Sequence, residues 1–597
     1  MTYQQTWDME KIFKGGSDSK ELEHFLNQQQ QMLTELKNAV QAWDHQSKTA
    51  LVDIIATYEQ LEQNLSEAQV FLSGLYSADT SDQTAAKKLN DMAVLYSKLG
   101  NIGTSLQKAI SAMDGEAFKQ LFTHDFLAAR QFPLTEMRNL SQKLLSAPEE
   151  KLINALSIDG FYAWEDMSSD LVSSLEFPFE VNGEIQKLSA GQAENNMHAA
   201  PTVEERKEKL AIWEHTWQDA APLFSRVLNH LAGFRLTNYD AHDRKDYMER
   251  PLEYNRMKAA TLDTMWNTIS KNKQPLVEFF NRKAQLLGVD QLNWLDVDAA
   301  VEVGDFENKT YTFDEAADFI VKHFRSFSPK MAQMAQTAFE DRWIEAEDRP
   351  GKRPGGYCAD LPLAEESRIF MTFSGSADNV ATLAHELGHA FHSHVMRDMP
   401  VMNRNYAMNV AETASTFAEQ IINDATIKSS ASEAEKINLL NNKIIQGVAM
   451  KMNIHARYIF ERHFYDERQK GMVSADRLSE LMLEAQKEAY ENALGSYHPM
   501  FWAAKLHFYI TGVPFYNFPY TFGYFFSQGI YAKGLAHGDN FEDKYIALLR
   551  DTASMTTEEL AKKHLDVDLT QPDFWQHAID LVHDDIKEFL SLTEKYV

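Results

Sequence analysis

The chain has 597 residues, and 44% of them are hydrophobic, which is enough for a substantial buried core. It carries 87 acidic against 58 basic residues, a net charge of −29, and this balance argues against nucleic acid or an anionic membrane as its partner. A single cysteine, Cys358, excludes an intramolecular disulfide and favours a reducing compartment.

The expected location is therefore the cytoplasm. The polar N-terminal residues show no apolar stretch of the kind that a secretory signal needs. No apolar run approaches the roughly 18 residues of a membrane-spanning helix.

Residues 20–125 repeat the apolar spacing of amphipathic helices. Leu22, Phe25 and Leu26 show the three- and four-residue steps that place side chains on one helix face. Breaks are predicted at residues 77–82 and 101–103. We expect an antiparallel helical bundle here, and we predict that residues 1–190 form an N-terminal helical lobe.

The pattern changes to alternating apolar residues at 176–188. Asn182 and Gly183 lie at its centre and form a dipeptide that is a strong signal for a β-hairpin turn. The polar stretch 189–196 follows and is a plausible boundary, so residues 191–597 are predicted to form a second, larger region.

Helices resume at Thr202, which is a candidate N-cap with Glu205 three residues later, and Thr312 with Glu315 repeats this signature. Residues 347–362 are rich in Gly and Pro and are predicted to be a loop, either a ligand-binding loop or an ordinary connector.

Residues 367–373 are predicted to form a short strand. An edge strand there could pair with an extended peptide, and the alternative is a buried strand with no ligand role.

The sequence H-E-x-x-H occurs at His385, Glu386 and His389. At about 100° per residue, His389 falls near 40° from His385 on a helical projection, so both imidazoles can reach one metal ion. The apolar residues of 379–392 cluster on the opposite side. The pattern predicts a helix that is buried on one side and offers nitrogen ligands on the other.

A catalytic zinc ion usually has three protein ligands. The metzincin spacing is absent, because His392 and Val395 stand where that motif has Gly and the third His. The run 408–422 is predicted to be a second amphipathic helix, and its polar side carries Glu412 and Glu419. Glu412 is our predicted third ligand, and Glu419 could accept a hydrogen bond from a ligand imidazole, although both could be solvated carboxylates.

An aromatic cluster occupies residues 507–524. Pro519 suits a first helical turn, and this places Tyr520 and Tyr524 on one helix face. Such runs usually belong to a hydrophobic core.

The residues His385-Glu-Leu-Gly-His-Ala-Phe-His392, followed by Glu412-Thr-Ala-Ser415, resemble the oligoendopeptidase F family of thimet oligopeptidase-like zinc metallopeptidases. The stretches 351–358, 370–375 and 515–523 agree with that family. The resemblance covers residues 200–590 well and the N-terminal third more loosely.

The resemblance implies a mainly α, bilobal fold with a small β-hairpin or short sheet near the active site. It also implies a central substrate channel that admits short, flexible peptides. In related enzymes a His and Tyr residues from the aromatic region face the metal and stabilise the tetrahedral intermediate. The matching candidates are His507, Tyr516, Tyr520 and Tyr524, with His507 and Tyr520 the strongest.

The expected function is zinc-dependent hydrolysis of internal bonds in oligopeptides. One Zn²⁺ per chain would be held by His385, His389 and Glu412, and Glu386 would act as the general base. The alternatives are a metallocarboxypeptidase and a non-catalytic peptide-binding protein. Oligopeptides are the only partners expected; the sequence does not predict the oligomeric state.

Overall fold

The fold is known from a computed structural model, which describes residues 2–181, 183–304, 309–537 and 541–597. The chain is 70% helical, with two small sheets among the described residues, so the predicted mainly α class is confirmed. Over the same ranges, no helix has both the length and the apolar character that a membrane crossing requires.

The chain forms two compact units. The first consists of Met1–Lys143, Asn308–Thr426 and Lys533–Asp566, and the second consists of Leu144–Glu307, Ile427–Ala532 and Val567–Val597. The predicted division of the chain between residues 190 and 191 stays a prediction.

The first unit contains three groups of elements. Its N-terminal helices are α1 Lys20–Ala42, α2 Lys48–Ala78, α3 Gln83–Ser111, α4 Gly115–Leu121, α5 Asp125–Ala128 and α6 Gln131–Ser141. The middle group is α14 Phe313–Phe327, α15 Pro329–Glu340, β3 Ile344–Glu345, β4 Tyr357–Leu361, β5 Glu366–Phe370, α16 Ala377–Met396 and α17 Met408–Ala411, followed by α18 Thr413–Lys428. The last group is α24 Phe541–Asp551 and α25 Thr557–Leu565.

The N-terminal helices form the expected bundle. Helices α1 to α4 begin at a side-chain cap, as where Ser19 Oγ accepts the Leu22 N–H at 3.2 Å. The break predicted at 77–82 is confirmed, but the one at 101–103 is wrong, because α3 continues through it. A Cβ on Gly103 would lie 2.9 Å from the Tyr58 hydroxyl, so this glycine serves helix packing rather than a turn.

The three-stranded sheet has the order β3-β5-β4. Strand β5 lies at its centre, antiparallel to β4 and parallel to β3, and all five of its residues are buried. Of the two alternatives for the strand predicted at 367–373, the buried strand is confirmed and the edge strand is wrong, because β5 pairs with β4 on one side and, at Ile369 and Phe370, with β3 on the other. The prediction of a loop over 347–362 is also wrong in part, since Tyr357–Leu361 forms the outer strand β4.

The second unit contains the remaining elements. They are α7 Ala147–Ser157, α8 Ala163–Ser174, β1 Phe177–Val181, β2 Glu184–Leu188, α9 Ala190–His198, α10 Val203–Ala241, α11 Glu249–Tyr254, α12 Ala259–Ser270, α13 Gln274–Leu286, α19 Glu433–Val448, α20 Ile454–Arg468, α21 Ala475–Ala489, α22 Phe501–Ala504, α23 Phe518–His537 and α26 Pro572–Thr593. A 3₁₀ turn, Trp294–Asp298, and a π-helical turn, Ala449–Asn453, also belong to this unit.

Strands β1 and β2 pair antiparallel, from Phe177 opposite Leu188 to Val181 opposite Glu184, which confirms the predicted hairpin. Gly183 has a φ of 82°, as a tight turn needs, whereas Asn182 lies outside the described residues. The caps at Thr202 and Thr312 are confirmed: Thr202 accepts the Glu205 N–H at 3.2 Å, and Thr312 forms a full capping box.

Candidate metal centre

Helix α16 presents the H-E-x-x-H residues. It begins where Ser376 Oγ accepts the Asn379 N–H at 3.1 Å. Its apolar side is fully buried and consists of Val380, Leu383, Leu387, Ala390 and Phe391. The rings of His385 and His389 lie 5.0 Å apart on the other side, as the four-residue spacing predicts.

Glu412 lies at an interruption between two helices. The predicted continuous helix over 408–422 is wrong at this residue, because α17 ends at Ala411 and α18 begins at Thr413. Glu412 Oε2 lies 3.3 Å from His385 Nε2 and 3.5 Å from His389 Nε2. The structure thus brings together the three side chains that the sequence suggested as ligands.

The three donor atoms fit a zinc ion. All of them lie within 4.8 Å of one another. Ligands at the Zn–N and Zn–O distances of about 2.0–2.1 Å, in a tetrahedral arrangement, are separated by about 3.4 Å. The observed separations of 3.3 and 3.5 Å agree with this value. Two imidazole nitrogens and one carboxylate oxygen also form a common donor set of catalytic zinc sites.

Two neighbouring side chains orient the candidate ligands. His385 Nδ1 lies 3.0 Å from Glu419 Oε2, so with Nε2 free to bind a metal the Nδ1–H donates to that carboxylate. Ser415 donates its hydroxyl proton to Glu412 Oε2 at 2.8 Å. The sequence suggested the contact of Glu419, but it gave no signal for that of Ser415.

The electrostatics of the cluster favour a bound cation. Burial opposes charge on His385, yet hydrogen bonds to Glu412 and Glu419 raise the pKa of its imidazole. Burial likewise opposes ionisation of Glu412, but the neighbouring His385 and His389 lower the pKa of its carboxyl. The carboxylates of Glu412 and Glu419 thus stabilise a positive charge at His385. A divalent cation bound there can supply that charge in place of a proton.

Glu386 is 7% exposed, and burial raises the pKa of its carboxyl to about 7. It lies beside Gly356, the residue before β4. A Cβ on Gly356 would lie 3.6 Å from Glu386 Oε1 and 3.3 Å from the Phe370 carbonyl oxygen. The glycine-rich segment therefore approaches the predicted general base closely.

Gly388 is a site residue that the sequence analysis missed. It lies between the two histidines, and an added Cβ would be 2.5 Å from the Ala414 carbonyl oxygen and 2.6 Å from the Ser415 Cα. Only glycine lets α16 pack this closely against the chain that follows Glu412. A glycine inside an otherwise good helix pattern was the available signal.

His392 has a different environment from the two candidate ligands. Its ring stacks on Tyr406 at 4.2 Å, and its Nε2 lies 2.9 Å from the Thr552 hydroxyl oxygen. Burial lowers the pKa of this imidazole to about 3, so the ring is neutral. His392 is a core residue that ties α16 to the segment after α24.

The second unit holds the aromatic candidates. The rings of His507, Tyr516 and Tyr520 lie 5.4–6.1 Å from one another. Burial, with help from the charges of Arg457 and Lys505, lowers the pKa of His507 to about 4, so its imidazole is neutral at pH 7.

Tyr524 is 3% exposed, and its hydroxyl lies close to Gly447. The roles predicted for His507 and the three tyrosines stay predictions.

Known proteins resemble this chain, one of them over its whole length. An oligoendopeptidase F homologue of Lactococcus lactis subsp. lactis is 23% identical across 100% of this chain and 98% of that protein. The oligopeptidase PepF of Bacillus subtilis is 25% identical across 59% of this chain and 52% of that protein.

Two crystal structures share the fold. Oligoendopeptidase-F from Enterococcus faecium gives a TM-score of 0.70 at 18% identity, covering 97% of this chain and 100% of that one. A protein from Chlamydophila abortus gives a TM-score of 0.84 at 21% identity, covering 99% of both chains.

The family assignment comes from sequence models. The model of peptidase family M3 matches residues 196–581, more than half of the chain, and the model of oligopeptidase F matches residues 110–177. These matches confirm the resemblance to the oligoendopeptidase F family. The chain therefore belongs to peptidase family M3, and it is a peptidase.

Proposed function

We propose that the chain is a zinc-dependent endopeptidase that hydrolyses internal bonds of short oligopeptides. The observation that carries the proposal is the convergence of His385 Nε2, His389 Nε2 and Glu412 Oε2 next to the buried carboxylate of Glu386. Membership of peptidase family M3 supports the peptide substrate.

Three side chains would hold the metal ion, one per chain. His385 and His389 offer Nε2, Glu412 offers a carboxylate oxygen, and Glu419 fixes the tautomer and the ring orientation of His385. A zinc ion bound there supplies Lewis acidity, which lowers the pKa of water toward neutral and polarises a carbonyl group.

Glu386 is the proposed general base. Its carboxylate accepts a proton from the attacking water and then gives that proton to the nitrogen of the departing amine. The residue follows the ligand His385 directly in α16 and is 7% exposed, so few water molecules compete for its oxygens.

We assign the hydrogen bond to the developing oxyanion to His507 or to one of Tyr516, Tyr520 and Tyr524, on the family resemblance. Removing one such donor typically reduces the rate by about 10²–10³-fold. A neutral imidazole at His507 supports this role, since a neutral ring carries one N–H that can donate.

The substrate backbone is proposed to lie along β4. Sheet order places this strand at an edge, and Gly356 at its start approaches Glu386. Backbone pairing at an edge strand recognises extended peptides regardless of their side chains.

The restriction to short peptides is proposed on the family resemblance. A cytoplasmic location is proposed on the single cysteine.

The products of a peptide mixture test this function. Zinc-loaded protein is incubated with short peptides of known sequence, with an unfolded protein and with a folded protein, and mass spectrometry identifies the cleaved bonds. Internal cuts confined to the short peptides are expected. Stepwise loss of C-terminal residues would show a metallocarboxypeptidase instead, and peptide binding without cleavage would show a binding protein.

A further inference from the structure

The second unit contains a recess of about 230 Å³, which the metal ligands do not line. It lies among α9, α10, the turn Trp294–Asp298 and the start of α20. Its walls include four buried aromatic side chains, which are 2–8% exposed: Trp213, Trp294, Tyr490 and Phe501. The recess is smaller than the roughly 300–1,000 Å³ of sites for drug-sized ligands.

A fixed guanidinium lies at one side of this recess. Arg457 donates from Nε to Asn453 Oδ1 at 2.8 Å and from Nη1 to Asn517 Oδ1 at 3.1 Å. Lys505 adds a second positive charge, and its Nζ lies 3.9 Å from the carboxylate of Glu194. The two cations form a docking point for a carboxylate, because a guanidinium held in place loses little entropy when it binds one.

An acid without a close partner lies in the same recess. The Asp298 side chain is partly accessible to solvent. The protein around its carboxyl nevertheless removes part of its hydration, and this raises its pKa despite the positive charges of His198, Lys283 and Lys505. Among the described residues, no side chain donates a hydrogen bond to this carboxylate. Asp298 can therefore accept hydrogen bonds from an ammonium group that enters the recess.

One wall of the recess is backbone of unusual form. Ala449 and Asn453 line it, and they are the first and last residues of the π-helical turn. Single π-helical turns are rare and frequently lie at functional sites. Here the turn precedes Arg457 by one helical turn and carries its hydrogen-bond acceptor, Asn453.

We propose that this recess binds a free amino acid with a large apolar or aromatic side chain. The carboxylate of the ligand docks on Arg457 and Lys505, its ammonium group docks on Asp298, and its side chain packs among the four aromatic rings. The recess has the size of one amino acid rather than of an oligopeptide, and it offers both charges that a zwitterion needs. The proposal does not depend on the proposed function.

Isothermal titration of the zinc-loaded protein with L-phenylalanine tests the site. Two analogues each remove one charge: N-acetyl-L-phenylalanine lacks the ammonium group, and 2-phenylethylamine lacks the carboxylate. We expect L-phenylalanine to bind with one site per chain and each analogue to bind about tenfold more weakly or worse, since a hydrogen bond to a charged group is lost. This comparison needs no variant.

Variants then locate the bound ligand. Asp298→Asn and Lys505→Met are each expected to weaken L-phenylalanine binding by about tenfold or more. The matched control is Asp219→Asn, which removes an exposed acid of α10 outside the recess and should leave binding unchanged. Three results would overturn the proposal: no binding of L-phenylalanine at millimolar concentration, equal binding of the analogues, or unchanged binding in either recess variant.

Discussion

Gly388 and Ala414 touch at the point where the two candidate ligand segments cross. A Cβ on Gly388 would lie 2.5 Å from the Ala414 carbonyl oxygen, which is closer than carbon and oxygen can approach without a shift. This contact holds α16, with its two histidines, against the segment that carries Glu412. Because Gly388 has a hydrogen atom where alanine has a methyl group, the two segments can pack closely enough to bring the three candidate ligands together.

Gly388→Ala is expected to separate these segments and to cost at least about 1–3 kcal/mol of unfolding free energy, as overpacking of a close contact does. Metal affinity should fall as well, because Glu412 moves away from the imidazoles. The control is Gly100→Ala in α3, where a Cβ meets nothing within 4 Å, and this change should stabilise the protein by up to about 1 kcal/mol. Denaturant unfolding and zinc titration measure both effects. Normal zinc affinity in Gly388→Ala would contradict this account.

Glu419→Gln tests the orientation of His385. The carboxylate accepts the Nδ1–H at 3.0 Å, and the amide that replaces it is a weaker, neutral acceptor. Outer hydrogen-bond partners of this kind typically contribute 10–100-fold to metal affinity, so we expect a loss of about that size. Competition with a chelator of known affinity measures it. An affinity equal to that of the wild type would show that Glu419 does not orient the ligand.

Arg235 is expected to position the loop that carries His507. Its Nη2 donates to the Ile510 and Thr511 carbonyl oxygens at 3.0 and 3.1 Å, and its Nη1 donates to the Tyr465 hydroxyl at 2.6 Å. Arg235→Met leaves these acceptors unsatisfied, which should cost about 2–5 kcal/mol of unfolding free energy. It should also lower kcat while zinc stays bound.

A matched control separates positioning from stability. Arg206 is equally buried in the same unit and donates to Asp296 Oδ1 at 2.8 Å and to the Ala200 carbonyl oxygen at 3.0 Å. Arg206→Met should destabilise the protein by a comparable amount and leave the kcat of the folded enzyme unchanged. If both variants lower kcat equally below their unfolding temperatures, the specific role of Arg235 is wrong.

Glu461 makes the stability of the protein depend on pH. Burial raises the pKa of its carboxyl from 4.5 to about 8, against the hydrogen bond from Asn517 and the charges of Arg235 and Arg457. The folded state therefore keeps a proton that the unfolded state releases. The stability linked to this proton is fully present below about pH 4.5 and is lost as the pH rises to about 8, at up to about 1.4 kcal/mol per pH unit.

Glu461→Gln removes this titration. Denaturant unfolding of both proteins at pH 5, 6, 7 and 8 should show that the variant gains stability relative to the wild type as the pH rises. Parallel pH profiles for the two proteins would mean that Glu461 titrates near its ordinary pKa in the folded state.

Local signals predicted much of this fold. Apolar spacing predicted α1, α2 and α16, side-chain caps marked the starts of α10 and α14, and Asn182-Gly183 marked the hairpin. Each of these signals acts over a few residues, so it can be read from the chain directly. The two histidines share a face for the same reason.

Long-range packing explains what the sequence analysis missed. The central place of β5 depends on pairing with β3 and β4, and strand order is not encoded within a five-residue segment. Gly103 resembled a break, yet it makes room for the Tyr58 side chain from another helix. The helix interruption at Glu412 likewise lies beside a contact between separate segments, since Ala414 packs on α16 at Gly388.

Metal content and turnover of Glu386→Gln, measured on the same sample, test the central claim most directly. The wild type and this variant are loaded with zinc, analysed for bound metal and incubated with a short peptide, with His389→Ala as the metal-free comparison. We predict full zinc occupancy in Glu386→Gln with a loss of at least about 10²–10⁴-fold in kcat, and loss of zinc in His389→Ala. Near-normal turnover by zinc-loaded Glu386→Gln would contradict the account, and so would full zinc occupancy in His389→Ala.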